Sequence, residues 1–224
     1  MYLSRLILNP RNRRVCQELA NPYELHRTLM RAFPQDLPAG ERVLFRVDVG
    51  ARTGVPIVLL QSHGEPDWAW LEEPGAKGYL LPESLLPPRV VSNPATKAFH
   101  LTFAPGQVLA FRLRANPTVK RKFPNGDHKR VGLYREEEQV AWLQRKGEQG
   151  GFHPLSVHAS NKARAGGFIR RTDKTHKLNL LAVQFDGLLR VTDPERLWET
   201  VRSGMGSGKG LGFGLLSLAR PGSG

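Results

Sequence analysis

The sequence predicts an α+β protein built from two modules in tandem, each with the element order βαββαβ. Three observations carry that expectation. Short runs rich in β-branched and aromatic residues alternate with amphipathic helical segments, and the alternation occurs twice along 224 residues. A basic stretch containing Pro, Asn and Gly separates the two rounds. The length is large for one compact domain and comfortable for two small ones.

In the first round, "YLSRLIL" (2–8) reads as a strand that Asn9-Pro10 ends with turn chemistry. A helix starts near Asn12 and restarts at Asn21-Pro22, where Asn at the N-cap, Pro at N1 and Glu24 at N3 resemble a capping box. Pro34 closes it. "RVLFRVDV" (42–49) and "PIVLLQS" (56–62) form a hairpin across Gly50 to Gly54. The Pro- and Gly-rich residues 65–94 read as loop with one short helix, and "QVLAFRLRANP" (107–117) is the closing strand. This is the ferredoxin-like order, and it places a first domain at residues 1–118.

Residues 119–130, within "TVKRKFPNGDHKR", read as a basic linker, and residues 131–224 as a second ferredoxin-like domain. "EEEQVAWLQRK" (136–146) is a helix with acids in its first turn and Arg145-Lys146 in its last, matching the helix dipole. "KLNLLAVQFDGLLRVTD" (177–193) reads as a hairpin turning at Asp186-Gly187. "PERLWETVRSG" (194–204) has Pro at N1 and Gly204 past its end, and "GFGLLSLA" (212–219) is the last strand.

Charge narrows the partner. The formal net charge is +13 and the pI about 10.5, which calls for a polyanion. Residues 1–110 hold 12 basic against 10 acidic residues, whereas residues 111–224 hold 21 against 10, so the second half carries the electrostatic footprint. No apolar run approaches the roughly 20 residues of a membrane span. The N-terminus "MYLSRLILNPRNRR" puts its basic segment after the apolar one and does not read as a secretory signal. With one cysteine, Cys16, an internal disulfide framework is excluded and a cytoplasmic location is expected.

The run "SGMGSGKGLGFG" (203–214) invites a nucleotide-binding reading, and register rejects it. A Walker A loop ending at Gly208-Lys209 needs Gly at 203 and Ser or Thr at 210, where the chain has Ser203 and Gly210. No G-x-G-x-x-G register exists either, and a helix precedes the run where a phosphate loop would have a strand. What remains is a loop of bare backbone at Gly206, Gly208 and Gly210 with Lys209, able to approach a phosphodiester chain or simply to connect helix and strand.

Tyr23 and His26, in "NPYELHRTLM", lie about 60° apart on a helix, away from the stripe Leu25, Leu29, Ala32 and Phe33. Histidine can give and take protons near neutrality, whereas tyrosine suits orienting an oxygen or a phosphate. A surface or satisfied histidine fits the same pattern. His63, His100, His128, His153, His158 and His176 form no metal-ligand spacing, and no metal or cofactor is expected. Candidate RNA contacts are Arg27 beside the pair, Lys120, Arg121, Lys122, Lys129 and Arg130 in the linker, and Arg164, Arg170, Arg171 and Lys174 in "NKARAGGFIRRTDK". A solvated basic hairpin is the alternative for the last group.

"MYLSRLIL", "YELHRTL", "FRLRANP", "EEEQVAWLQRK" and "GKGLGFGLLSLA", in this order over nearly the whole chain, resemble the CasE/Cse3 family, the endoribonucleases that process CRISPR RNA in type I-E systems. The resemblance implies a tandem ferredoxin-like, RAMP-superfamily (RRM-like) fold. It implies metal-independent cleavage of precursor CRISPR RNA at the base of the repeat stem-loop, with the 2′-hydroxyl attacking the adjacent phosphate to leave a 2′,3′-cyclic phosphate and a 5′-hydroxyl. The family's Tyr-x-x-His motif falls on Tyr23 and His26, and its members retain the cut RNA and join other Cascade subunits. A non-catalytic RNA-binding scaffold subunit on the same fold is the competing expectation, and a generic basic RNA binder a third.

Overall fold

The computed structural model describes residues 1–50, 52–124, 126–171 and 174–222, with residues 161–179 as backbone alone. β1 (Tyr2–Ile7) buries Ser4, Leu6 and Ile7 and lies in the middle of a four-stranded sheet. β2 (Leu44–Val49) and β3 (Pro56–Ser62) form the expected hairpin, with Val49 opposite Pro56. β4 (Ala95–Ala98) completes an antiparallel sheet of order β2-β3-β1-β4. That is the ferredoxin-like strand order, and it settles what one sequence cannot, namely which strands are neighbours.

Two helices precede β2. In α1 (Arg13–Ala20) the Asn12 side chain accepts from the backbone N–H of Val15 at 3.2 Å, as an N-cap should. α2 (Pro22–Leu29) starts afresh because Pro22 has no N–H and pushes Asn21 out of helical backbone, to φ −128° and ψ 91°. The capping box expected there does not form: the Asn21 side chain makes no cap hydrogen bond, and Glu24 pairs with Arg27 at 3.0 Å.

The helices seat Val15, Leu25 and Leu29 against Leu6, Phe45, Val58 and Leu60 of the sheet. Residues 65–94 contain three short 3-10 turns, and their Trp70 and Tyr79 enter this same core. A buried polar knot lies within it. One oxygen of the Glu18 carboxylate accepts from Arg14 Nε and Thr28 Oγ1, both at 2.7 Å, and the other from Tyr79 Oη at 2.6 Å. Three donors satisfy a charge that would otherwise be costly to bury.

The second unit repeats the plan with β5 (Val108–Ala115), α3 (Glu136–Gln149), β8 (Phe152–Arg171), β9 (Lys174–Val191), α4 (Pro194–Ser203) and β10 (Leu216–Ala219). Its sheet order is β10-β5-β9-β8, again ferredoxin-like. Phe111, Leu113, Trp142, Leu143, Phe185 and Leu197 are among its core residues.

Three expectations change. The strand at 107–117 does not close the first unit: β5 pairs with β9 and β10, β4 takes its place in the first sheet, and the units divide at His100 and Leu101. Residues 166–178 and 210–212 group with the first unit. Residues 119–130 are no linker, since β6 (Thr118–Lys122) and β7 (His128–Gly132) form a two-stranded antiparallel hairpin. Asp186-Gly187 is no turn, because β9 runs straight through it. Gly187 is required by crowding: a Cβ there would collide with the Ser156 carbonyl and lie 3.2 Å from Phe111 Cε1.

Gly187→Ala is therefore expected to lower stability by about 1–3 kcal/mol, the usual range for overpacking. Urea unfolding should show a lower midpoint at unchanged slope. An unchanged midpoint would mean that no neighbour confines this position.

Candidate active site

The first unit presents Tyr23 and His26 from α2, both half-buried and one turn apart. The helix has little freedom to move. Leu25 and Leu29 are 1% and 0% exposed in the core, and Thr28 is tied to Glu18. The face bearing Tyr23 and His26 is thus fixed by what the opposite face buries.

Two groups frame the imidazole. The Phe45 ring of β2 stacks on it with centroids 6.2 Å apart and planes 11° from parallel. Gly210 approaches from the glycine segment, where a Cβ would lie 3.5 Å from Nε2 and 3.7 Å from both Cδ2 and Cε1. Those near-equal distances put Gly210 over the ring plane at Nε2, because an approach within the plane would leave the two carbons much farther away than the nitrogen. The in-plane direction of Nε2, along which it donates or accepts, is left open by Gly210. Gly212 supports this arrangement with φ +83° and a Cβ position 3.2 Å from Phe45 Cε2.

Nδ1 is sealed from solvent and has no hydrogen-bond partner among the described residues. Nε2 is therefore the nitrogen that a ligand could meet. Burial lowers the His26 pKa from its ordinary 6.5. Arg27 and Glu24 neutralise each other on α2, and Arg46 on β2 pairs with Asp48 at 2.9 Å. Burial thus disfavours the charged ring, and a neutral imidazole can take a proton from a hydroxyl brought to Nε2.

The other sequence candidates fall into separate groups. Arg27 is exposed on α2. Gly206, Gly208 and Lys209 belong to the second unit. Gly206 and Gly208 have φ +80°, with Cβ positions 3.1 Å from Trp142 Cζ2 and 3.1 Å from Phe213 Cδ2 respectively. Lys209 Nζ donates to the Ser203 carbonyl at 2.7 Å, at the C-terminal end of α4. Lys120, Arg121, Lys122, Lys129 and Arg130 all stand on the β6–β7 hairpin. The side chains of Arg164, Arg170, Arg171 and Lys174 lie outside the described residues.

Sequence reasoning missed Phe45, because an aromatic residue in a β-rich run reads as core, which it also is. It missed Glu18 for a different reason, although an acid one turn after Val15 on the apolar stripe of α1 is a signal of a buried pair. Among the described residues no group of three or more His, Cys, Asp or Glu could hold a metal ion, and no helix is long and apolar enough to cross a membrane.

Comparison with known proteins bears on what this arrangement does. The family described as "CRISPR associated protein" matches residues 1–220. The CRISPR-associated endoribonuclease Cse3 of Thermus thermophilus is 43% identical, over 98% of this chain and 100% of that protein. The CRISPR system Cascade subunit CasE of Escherichia coli is 32% identical, over 98% of this chain and 99% of that protein. A structure of Thermus thermophilus Cse3 bound to an RNA representing a pre-cleavage complex superposes with a TM-score of 0.77 at 40% identity, covering 97% of this chain and 98% of that one.

The imidazole makes a direct test of the geometry possible. An NMR titration of His26 should give a midpoint below 6.5, lower still in Gly210→Ala, where the added methyl covers Nε2, and nearer 6.5 in Phe45→Leu, where the ring is less enclosed. Because the folded value is depressed, the associated stability is fully present above pH 6.5 and is lost as pH falls through the folded midpoint. A wild-type midpoint at or above 6.5 would contradict the enclosure.

Proposed function

Because the chain belongs to the type I-E CasE/Cse3 family of CRISPR-associated proteins, we propose that it is the endoribonuclease that cuts precursor CRISPR RNA at the base of each repeat stem-loop. It keeps the processed RNA and works with the other Cascade subunits. The observation that carries the reading is His26: an imidazole with one sealed nitrogen and one left open by Gly210, its charged form disfavoured by burial, one turn from Tyr23 in a chain with net charge +13.

The chemistry follows from those groups. The 2′-hydroxyl gives its proton to His26 Nε2, and O2′ attacks the adjacent phosphorus. The bond from phosphorus to O5′ breaks, leaving a 2′,3′-cyclic phosphate, and O5′ takes up a proton to end as a hydroxyl. A neutral base is required for the first transfer, and burial favours the neutral form of His26. Tyr23 orients the phosphate through its hydroxyl. Nothing in these steps calls on a metal ion, and all proton transfers are met by side chain and solvent.

RNA binding rests on the basic second half, with the β6–β7 hairpin and the glycine segment meeting phosphates and Arg164, Arg170, Arg171 and Lys174 adding charge. A single cysteine and an RNA substrate suit the cytoplasm.

Cleavage of a labelled repeat hairpin in EDTA should proceed with the wild type and fall by about 10²- to 10⁴-fold in His26→Ala, the range of a lost general base, while binding at the same salt is retained. A 2′-deoxy substitution at the scissile nucleotide should block cutting, and the acid limb of the pH–rate profile should lie below 6.5. Dependence on magnesium or cleavage of the deoxy substrate would overturn the mechanism. Binding without any cutting by the wild type would favour a scaffold.

A further inference from the structure

The second unit contains a cleft of about 450 Å³ between the β6–β7 hairpin, the C-terminal ends of α3 and α4, and the start of the glycine segment. Four cations line it, Lys120, Arg130, Lys146 and Lys209, and no carboxylate does. Two of these cations have structural partners. Lys146 Nζ donates to Gln149 Oε1 at 3.1 Å in the last turn of α3, and Lys209 holds the Ser203 carbonyl at the end of α4. The two helix ends together offset only about one unit of charge, half a charge each, which is less than the four cations bring.

The hairpin adds a second, independent sign. Lys120 stands directly opposite Arg130, and Arg121 opposite Lys129. Like charges across a two-stranded ribbon are unfavourable, and such ribbons have little stability to spare. Period-two alternation sends the two pairs to opposite faces. On one face, acids answer the charge: Arg121 meets Glu138 at 3.6 Å and Lys129 meets Asp127 at 3.3 Å. On the face that lines the cleft, Lys120 and Arg130 have no ion pair among the described residues. An anion in the cleft would supply the charge that the fold omits there and provides on the other side.

We propose that this cleft is a phosphate-binding site that takes one nucleotide of the RNA, with Lys120 and Arg130 closing on its phosphate and Lys146 and Lys209 held in place by the helix ends. Its volume lies in the ordinary range for small-ligand sites, and its polar walls favour the sugar-phosphate over the base. Thr118 and Ser207 add hydroxyls at its edge. The assignment of the occupant to RNA rests on the RNA-processing reading, whereas the affinity for phosphate does not.

Lys146 gives the cleanest test, since it lies on α3 outside the hairpin. In Lys146→Gln, repeat-RNA affinity at 0.15 M salt should fall about fivefold and the slope of log K against log salt should shrink by about 0.7 to 0.9, the signature of one lost phosphate contact. Shortening the RNA one nucleotide at a time should identify a residue whose removal erases the difference between wild type and variant. Adenosine 5′-monophosphate, followed by NMR shifts of the Gly206 and Ser207 amides, should bind the wild type and bind Lys146→Gln and Arg130→Gln more weakly. Unchanged RNA affinity and slope in Lys146→Gln, together with a wild type that still cuts, would remove the site and leave the endonuclease standing. A wild type that binds the mononucleotide but not repeat RNA would keep the phosphate site and overturn the RNA assignment.

Discussion

The carboxylate of Glu18 is the constraint on which the first unit turns. A carboxyl side chain with 8% of its surface exposed must find donors or lose several kcal/mol, and here Arg14, Thr28 and Tyr79 provide them. Each donor comes from a different segment, so satisfying one charge fixes α1, α2 and the loop before β4 together. Arg14 also lies over the Tyr79 ring at 5.5 Å, which places its charge against aromatic surface as well as against the acid. Burial, and then the hydrogen bond to Glu18, push the Tyr79 hydroxyl above its usual pKa, so this part of the knot holds below pH 10 and is lost as pH rises through the raised value.

The position of His26 is a consequence of that knot. Thr28 stands two residues further along the same helix, so the rotation of α2 that satisfies Glu18 also turns the imidazole toward Phe45 and Gly210. The general base proposed for His26 needs contrary things, enough burial to disfavour the charged form and enough access to meet its substrate. The arrangement meets both by treating the two ring nitrogens differently, closing Nδ1 and leaving Nε2 open in the plane. Gly210 has no positive φ, and a Cβ there would rest on the ring at ordinary contact distance.

The second unit shows how charge can be read by what fails to balance it. Of its many cations, several are structural: Lys209 caps α4, Arg112 pairs with Asp186 at 2.6 Å, and Arg114 lies over the Phe213 ring at 5.4 Å. Those at Lys120 and Arg130 answer to no acid among the described residues, and only the fold separates them from their neighbours in sequence, Arg121 and Lys129, which do. A net charge counted along the chain cannot make that distinction, because alternate residues of a strand face opposite ways.

What the sequence determined by itself was local or summed over the chain. Pro22 and Pro194 place the starts of α2 and α4, the β-rich runs at 42–49 and 56–62 mark a hairpin, and 21 basic against 10 acidic residues in the second half announce a polyanion. The spacing of Tyr23 and His26 was legible because helical periodicity acts over a few residues. Tertiary structure alone decided which sheet receives β5, that residues 118–132 pair as a ribbon, and that Gly187 is a site of close approach and not a turn. It also decided which nitrogen of His26 is sealed. Those outcomes depend on contacts between residues far apart in the chain, such as His26 with Gly210 and Glu18 with Tyr79, and periodicity carries no information about partners that only folding brings together.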